Sequence, residues 1–147
     1  MFERMMVAID GSERSRRALK AGIGLASRLN NKLHTITVIE GSPDYVVAGA
    51  YTPIDPALVG EMVVERESQH QGLVNEARLL AFNAGVAIQT EIVVGTAVES
   101  IVQAVKQHGC DLLIIGLNQH PGLIAALTSH TGYDVTERAP CSVLGIR

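Results

Sequence analysis

The sequence predicts an α/β fold in which helices cover both faces of a parallel sheet. Short apolar runs alternate along the chain with longer segments of helical periodicity. The runs are apolar at nearly every position, and a strand with that pattern is buried on both faces, as in parallel sheets. The 147 residues, of which 47% are hydrophobic, are enough for one such domain, so a single domain over residues 1–147 is expected.

The first strand and the first helix are predicted close to the amino terminus. Met5 to Ile9 is a continuous apolar run that ends in Asp10-Gly11-Ser12, which is typical of a buried strand leading into a loop. From Glu13 to Leu29 an apolar residue recurs every three or four positions, which gives a helix one buried stripe. Ser12 is the natural N-cap of that helix.

The middle of the chain is predicted to contain a strand, an irregular segment and a long helix. The second strand spans Leu33 to Ile39, where consecutive β-branched residues favour extended backbone. Glu40 to Asp55 contains two glycines and two prolines and is expected to be an irregular, mobile excursion. A helix then runs from about Pro56 to Asn83 and stops before Gly85.

Three strands and two helices complete the predicted order. The third strand spans Val86 to Val94, the fourth Leu112 to Ile115, and the fifth Ser142 to Ile146. The segment from Thr96 to Glu99 has capping-box spacing, so a helix is expected to begin there. A short helix from Ser129 to Arg138 separates the last two strands.

Composition and charge exclude several classes of function. The net charge is -3 and no stretch gathers five or six basic residues, so binding to nucleic acid is not expected. No apolar run approaches the roughly 18 residues of a membrane span, and the start does not resemble a signal peptide, so a cytoplasmic protein is expected. Cys110 and Cys141 are too few for a disulfide framework. Reduced core thiols are the favoured interpretation, and a redox switch is the alternative.

Two strand exits have residues suited to binding a ligand. They are Asp10-Gly11-Ser12 after the first strand and Gly116 to Gly122 after the fourth. In an open α/β sheet, ligands bind beyond the carboxyl ends of strands where the strand order reverses, so the two loops would share one crevice if these strands are neighbours. There Asp10 could accept hydrogen bonds from an adenine amino group or a ribose hydroxyl, and Gly11 would allow close approach of backbone. The alternative is that Asp10 and Ser12 only turn and cap the chain.

Four segments resemble the universal stress protein family, in the same order and at similar spacing. They are VAIDGSERSRRAL near the start, VVGTAVESIVQAV in the middle, and DLLIIG and APCSVLGI near the end. The resemblance covers essentially the whole chain. It implies a five-stranded parallel sheet of order 3-2-1-4-5, similar to the adenine nucleotide alpha hydrolases. It also implies a homodimer paired through the last strand, Ser142 to Ile146.

The resemblance identifies a phosphate loop that departs from the family pattern. Nucleotide-binding members have glycine, two residues, glycine, nine residues, and then glycine followed by serine or threonine. Gly116 matches the first position, whereas Gln119 fills the second and Ser129 with His130 fills the final pair. Because such glycines let backbone N–H groups surround phosphate oxygens, Gln119 is expected to weaken triphosphate binding. The departure resembles the branch typified by universal stress protein A, whose members are regarded as not binding ATP.

The same resemblance implies which residues would line the pocket. From the adenine end to the phosphate end these are Asp10, Gly11, Ser12, Val38, Gly116, Leu117, Gln119, Ser129, His130 and Thr131. Asp10 and Val38 would lie near adenine. Ser129 and Thr131 would place hydroxyl groups at a helix N-terminus, and the free N–H groups there would still attract an anion, so AMP or another adenylate is expected in preference to ATP.

The expected function is that of a non-catalytic regulatory homodimer of the stress response with a weakened adenylate site. The sequence lacks a P-loop, a nucleophile elbow and a dinucleotide motif. The alternative is a true ATP-binding member with slow hydrolase activity. No metal is expected, because His120 and His130 flank the loop without a carboxylate or cysteine partner. An unidentified protein partner is expected to use the dimer surface or the excursion.

Overall fold

The computed structural model describes residues 1–40, 56–117 and 131–147, with the side chains of residues 56–64 left aside. Strands and helices alternate along the chain. The strands are β1 (Met5–Ala8), β2 (Leu33–Glu40), β3 (Ile88–Gly95), β4 (Leu112–Gly116) and β5 (Ser142–Ile146). The helices are α1 (Glu13–Leu29), α2 (Pro56–Asn83), α3 (Ala97–His108) and α4 (Thr131–Arg138).

The strands form one parallel sheet in the order β3-β2-β1-β4-β5, which confirms the expected fold class. β1 pairs with β2 on one side and with β4 on the other. The strand order therefore reverses between β1 and β4, which is where α/β sheets of this kind bind ligands.

Hydrophobic layers cover both faces of the sheet. The layer toward α1 and α2 includes Met5, Val7, Ala18, Leu19, Ile23, Ala77 and Ala81. The layer toward α3 and α4 includes Met6, Ile36, Leu113, Ile101, Val105 and Val135. Because successive residues of β1 belong to opposite layers, its apolar run is explained by burial on both faces.

Strand boundaries differ from the predicted ones by one or two residues, for local reasons. β3 begins at Ile88 instead of Val86 because the Val86 amide still donates to the Ala81 carbonyl of α2, at 2.9 Å. β2 and β3 each run one residue past the predicted end, since Glu40 and Gly95 pair with each other. The sheet is therefore longest where these two strands lie side by side.

The predicted capping box at the start of α3 does not form. Thr96 has the extended backbone of an N-cap, but its hydroxyl makes no cap hydrogen bond and donates to a Glu99 carboxylate oxygen instead. The other Glu99 oxygen accepts from Arg138 of α4 at 2.7 Å. These two side-chain hydrogen bonds, that from Thr96 first, lower the pKa of Glu99 to about 2. Glu99 thus links α3 to α4 and does not close a local box.

Candidate functional site

The exits of β1 and β4 are neighbours at the carboxyl edge of the sheet. Val7 lies opposite Ile114 in the register, so Asp10 and Leu117, each three residues further on, leave the sheet at the same level. A Cβ atom placed on Gly116 would lie 2.6 Å from the carbonyl carbon of Arg14 and 2.7 Å from its oxygen. The end of β4 therefore packs directly on the first turn of α1, and only glycine permits that approach.

Asp10 stands at the centre of a compact hydrogen-bond network. Its Oδ1 accepts from the Ser12 amide at 2.9 Å and from the Ser12 hydroxyl at 2.5 Å. The Asp10 amide donates to the Ser15 hydroxyl, and the Ser15 amide donates to Ser12 Oγ at 3.2 Å. Ser12 is therefore the N-cap of α1, so the turn-and-cap interpretation of Asp10 and Ser12 describes these contacts correctly.

The second carboxylate oxygen of Asp10 has a different environment. Oδ2 lies 3.5 Å from a guanidinium nitrogen of Arg14, and the Asp10 side chain is 56% exposed. Burial raises the pKa of Asp10, but hydrogen bonds from Ser12 and Ser15 and the charge of Arg14 lower it by more, so the net shift is downward. An ionised and accessible carboxylate at this position is suited to accept hydrogen bonds from ligand hydroxyl groups.

Glycine is required at position 11 for a conformational reason that is independent of any ligand. Its φ is +82°, in the left-handed region that favours glycine. A Cβ atom here would lie 3.1 Å from a methyl group of Leu73 on α2. The turn and the packing of α2 therefore account for Gly11, and its approach to a ligand stays a prediction.

Small apolar side chains line the carboxyl ends of the strands on the α3 side of the sheet. Val38 of β2 lies beside Val93 of β3 in the register, and both are partly buried against the α3 layer. Ala8 at the end of β1 and Val98 in the first turn of α3 belong to the same group. Partly buried apolar surface next to a few polar groups is typical of small-molecule sites. Val93 and Val98 extend the surface predicted from Val38 alone.

Leu117 acts mainly as a packing residue at the β4 exit. Its amide donates to the Ile146 carbonyl at 2.7 Å. A Cβ atom on Gly145 of β5 would lie 2.2 Å from a Leu117 methyl group, and one on Gly132 of α4 would lie 3.3 Å from the other methyl group. The Leu117 side chain therefore packs between β5 and α4, and its place beside a ligand stays a prediction.

The phosphate end of the predicted site is described only in part. Gln119, Ser129 and His130 lie outside the described residues, as does His120. Thr131 is the first residue of α4 and is partly buried. Because Gly132 contacts Leu117, the first turn of α4 lies beside the β4 exit. The N–H groups of that turn are the part of the predicted phosphate end that the structure positions.

Sequence reasoning missed Arg14. Besides its ion pair with Asp10, its Cγ would lie 2.9 Å from a Cβ atom on Gly116, so its side chain runs along the β4 exit. The four-residue spacing of Asp10 and Arg14 was an available signal, since oppositely charged residues at that spacing often pair near helix ends.

Other chemistry is not supported by the described part of the chain. There, no three or more His, Cys, Asp or Glu side chains are grouped to hold a metal ion, and no helix is long and apolar enough to cross a membrane. Cys110 is buried, and burial raises the pKa of its thiol to about 11. Burial also raises the pKa of Cys141. Thiols with raised pKa values react slowly, which favours the core interpretation over a redox switch.

Comparison with known sequences gives one consistent result. The sequence model of the universal stress protein family matches residues 1–147. Universal stress protein YxiE of Bacillus subtilis is 27% identical over 150 residues, covering 100% of both chains. A universal stress protein of Methanocaldococcus jannaschii is 25% identical over 147 residues, covering 100% of this chain and 83% of the relative.

Solved structures share the fold at lower identity. A universal stress protein in complex with cAMP superposes with a TM-score of 0.76 at 22% identity, covering 99% of this chain and 97% of that one. The universal stress protein from Archaeoglobus fulgidus in complex with dAMP superposes with a TM-score of 0.69 at 16% identity, covering 100% of both chains. A universal stress protein family protein from Arabidopsis thaliana with AMP bound superposes with a TM-score of 0.66 at 17% identity, covering 97% of this chain and 90% of that one. These identities establish similarity of fold alone.

Proposed function

The chain belongs to the universal stress protein family, and we propose that it is a non-catalytic regulatory protein that binds AMP or a similar adenylate in preference to ATP. The main support is the crevice between the β1 and β4 exits, where the accessible Asp10 carboxylate stands beside Arg14 and Gly116. Three proteins of the same fold were solved with cAMP, dAMP or AMP, each of which has a single phosphate.

Each part of an adenylate has a complementary group in the proposed crevice. The ribose hydroxyls would donate to Asp10, and the adenine ring would lie against Val38 and its apolar neighbours. One phosphate would accept from the first turn of α4, which begins with Thr131. A β- or γ-phosphate would need further backbone N–H groups near position 119, where glutamine replaces the family's glycine.

The proposal of a non-catalytic role is supported by the low basicity of the Asp10 carboxylate. Burial raises the pKa of Asp10, but hydrogen bonds from Ser12 and Ser15 and the charge of Arg14 lower it by more, and a carboxylate with a lowered pKa is a weaker general base at neutral pH. We propose instead that ligand occupancy changes the surface offered to an unidentified partner protein in the cytoplasm during stress. Incubation with labelled ATP is expected to give no turnover above a blank. Turnover that disappears in Asp10→Ala would favour the slow hydrolase alternative.

Ligand preference is the first prediction. Calorimetry on protein stripped of nucleotide is expected to show binding of AMP, with ATP binding at least about tenfold more weakly, equivalent to about 1.4 kcal/mol. Chromatography of ligand released by denaturing freshly purified protein should recover an adenylate. Tight ATP binding by the unmodified chain would contradict the proposal.

Restoring the glycines of the phosphate loop is the second prediction. The double variant Gln119→Gly with Ser129→Gly is expected to raise ATP affinity about tenfold, as one added charge-assisted hydrogen bond would. The matched control is Gln119→Ala with Ser129→Ala, which shortens the same side chains but keeps Cβ atoms. An equal gain in both double variants would show that side-chain bulk, and not glycine backbone freedom, limits ATP binding.

Assembly through β5 is the third prediction. In the described sheet β5 is an edge strand that pairs only with β4, and we propose that a second copy covers its outer edge. Ser142→Asp on β5, where the residue is exposed, should convert the dimer to a monomer in sedimentation, with folding checked by circular dichroism. The control is Val94→Asp on β3, the other edge, where the side chain is already 60% exposed. Dissociation of both variants, or of neither, would contradict the proposal that the dimer forms through β5.

A further inference from the structure

Two histidine rings pack against each other where the end of α3 meets the sheet. The ring centroids of His34 on β2 and His108, the last residue of α3, lie 4.8 Å apart, with 39° between the ring planes. Both residues are partly buried. Because His34 is the second residue of β2, this histidine pair lies at the edge of the sheet opposite the crevice, and its role is independent of the proposed function.

One carboxylate faces the histidine pair. Oε1 of Glu91 on β3 lies 3.3 Å from Nε2 of His108. That oxygen is buried, and no described residue donates a hydrogen bond to it. The contact becomes an ion pair when His108 carries a proton on both ring nitrogens, so Glu91 can balance one positive charge on the histidine pair.

Apart from Glu91, the charged groups of the described residues that act on His34 are positive. Burial is the largest cause that lowers the pKa of His34 from its ordinary value of 6.5. The charges of His108, of Arg4 before β1 and of Lys32 before β2 lower it further, and the charge of Glu91 raises it. A second proton on the histidine pair would therefore place a positive charge in partly buried surroundings without a counter-charge.

We propose that the histidine pair is a pH-sensitive contact, which releases the carboxyl-terminal end of α3 from β2 when both rings are protonated. Uncharged rings pack at this distance without repulsion, whereas two imidazolium rings repel each other. The released state binds the second proton more readily, because His34 is then in water. The contact is therefore stable above pH 6.5 and is lost as the pH falls through the folded-state pKa of His34.

Amide hydrogen exchange measured by NMR tests this release. The amides of Gly109 and Cys110 donate to carbonyl groups in the last turns of α3, at 3.2 and 3.0 Å, so they report on that end of the helix. Their protection factors, which are corrected for the intrinsic effect of pH, are expected to fall about tenfold between about pH 7.5 and about pH 5.5. The Asn31 amide, which donates to the end of α1 at 3.0 Å, should keep its protection.

Substitutions assign the effect to the histidine pair. In His34→Gln the protection factors should change by less than about twofold over the same pH range. In His108→Gln the loss should be smaller than in the wild type but not absent, because burial still opposes protonation of His34. In Glu91→Gln the loss should be larger, since the balancing charge is gone. His70→Gln on α2 is the matched control and should behave like the wild type, because His70 contacts the Arg66 carbonyl instead.

Three outcomes would overturn the proposal. Equal protection at both pH values in the wild type would show that the contact does not respond to acid. A loss that persists in His34→Gln would assign the effect to another group. A loss of the same size at Asn31 would show that acid destabilises the whole fold and not the end of α3. If His34→Gln does not fold, titration of the His34 ring protons in the wild type decides, because a midpoint at or above pH 6.5 contradicts the proposal.

Discussion

Gly116→Ala is expected to lower the free energy of unfolding by about 3 kcal/mol, the upper end of the usual cost of overpacking. The added Cβ would lie 2.6 Å from the carbonyl carbon of Arg14 and 2.7 Å from its oxygen. Both atoms are backbone, so relief requires α1 to move away from β4. Urea denaturation followed by circular dichroism measures the change.

Gly24→Ala is the control for that experiment. Gly24 lies within α1, and a Cβ atom there would have no neighbour within 4 Å. Alanine in an unobstructed helical position is expected to stabilise the fold by about 0.5–1 kcal/mol. Opposite signs for the two substitutions would confirm that contact, and not glycine content, decides the effect. A neutral Gly116→Ala would mean that α1 and β4 are less closely packed than the structure shows.

The packing of Gly116 changes how its match to the family motif should be interpreted. The first glycine of a phosphate loop suggests backbone approach to a ligand. Here the space beside Gly116 is filled by Arg14 of the same chain. Glycine would therefore be required at this position even in a chain that binds no nucleotide. Among the described residues around it, the exposed carboxylate of Asp10 has the chemistry that favours a ligand.

Features encoded by neighbouring residues were predictable from the sequence, and contacts between distant residues were not. The apolar run after Arg4 and the hydroxyl of Ser12 determine β1 and the start of α1 locally. The capping box predicted from Thr96 and Glu99 does not form. The Glu99 carboxylate instead accepts a hydrogen bond from Arg138, which lies 39 residues further along the chain. The contact of the Leu117 side chain with Gly145 was not predictable either, because it depends on how β4 and β5 pack, which no local pattern reveals.

Asp10→Asn is expected to lower adenylate affinity by about tenfold to a hundredfold. The amide can keep the hydrogen bond from the Ser12 amide, but it loses the charge that ribose hydroxyls would bind. A hydrogen bond to a charged group contributes about 1.5–3 kcal/mol, which corresponds to that range. Calorimetry with AMP measures the loss. Unchanged affinity would restrict Asp10 to its capping role.

The same substitution has a predicted effect on acid stability. The pKa of Asp10 is lowered from 3.8 in the folded chain, so the unfolded chain binds the proton more readily. The resulting stability is present above pH 3.8 and is lost as the pH falls through the folded-state pKa. Asp10→Asn removes this contribution, so unfolding free energy should depend less on pH in that range.

Asp111→Asn separates the two effects of Asp10. Asp111 precedes β4, at the edge of the sheet opposite the crevice, and accepts from the Glu3 and Arg4 amides at 2.8 and 3.1 Å. Burial raises its pKa, but these amides lower it by more, so it too stabilises the fold above its ordinary pKa. Asp111→Asn should therefore reduce the acid dependence as Asp10→Asn does, yet leave AMP affinity unchanged. If both variants lost AMP binding, the loss would follow from general destabilisation and not from a ligand contact at Asp10.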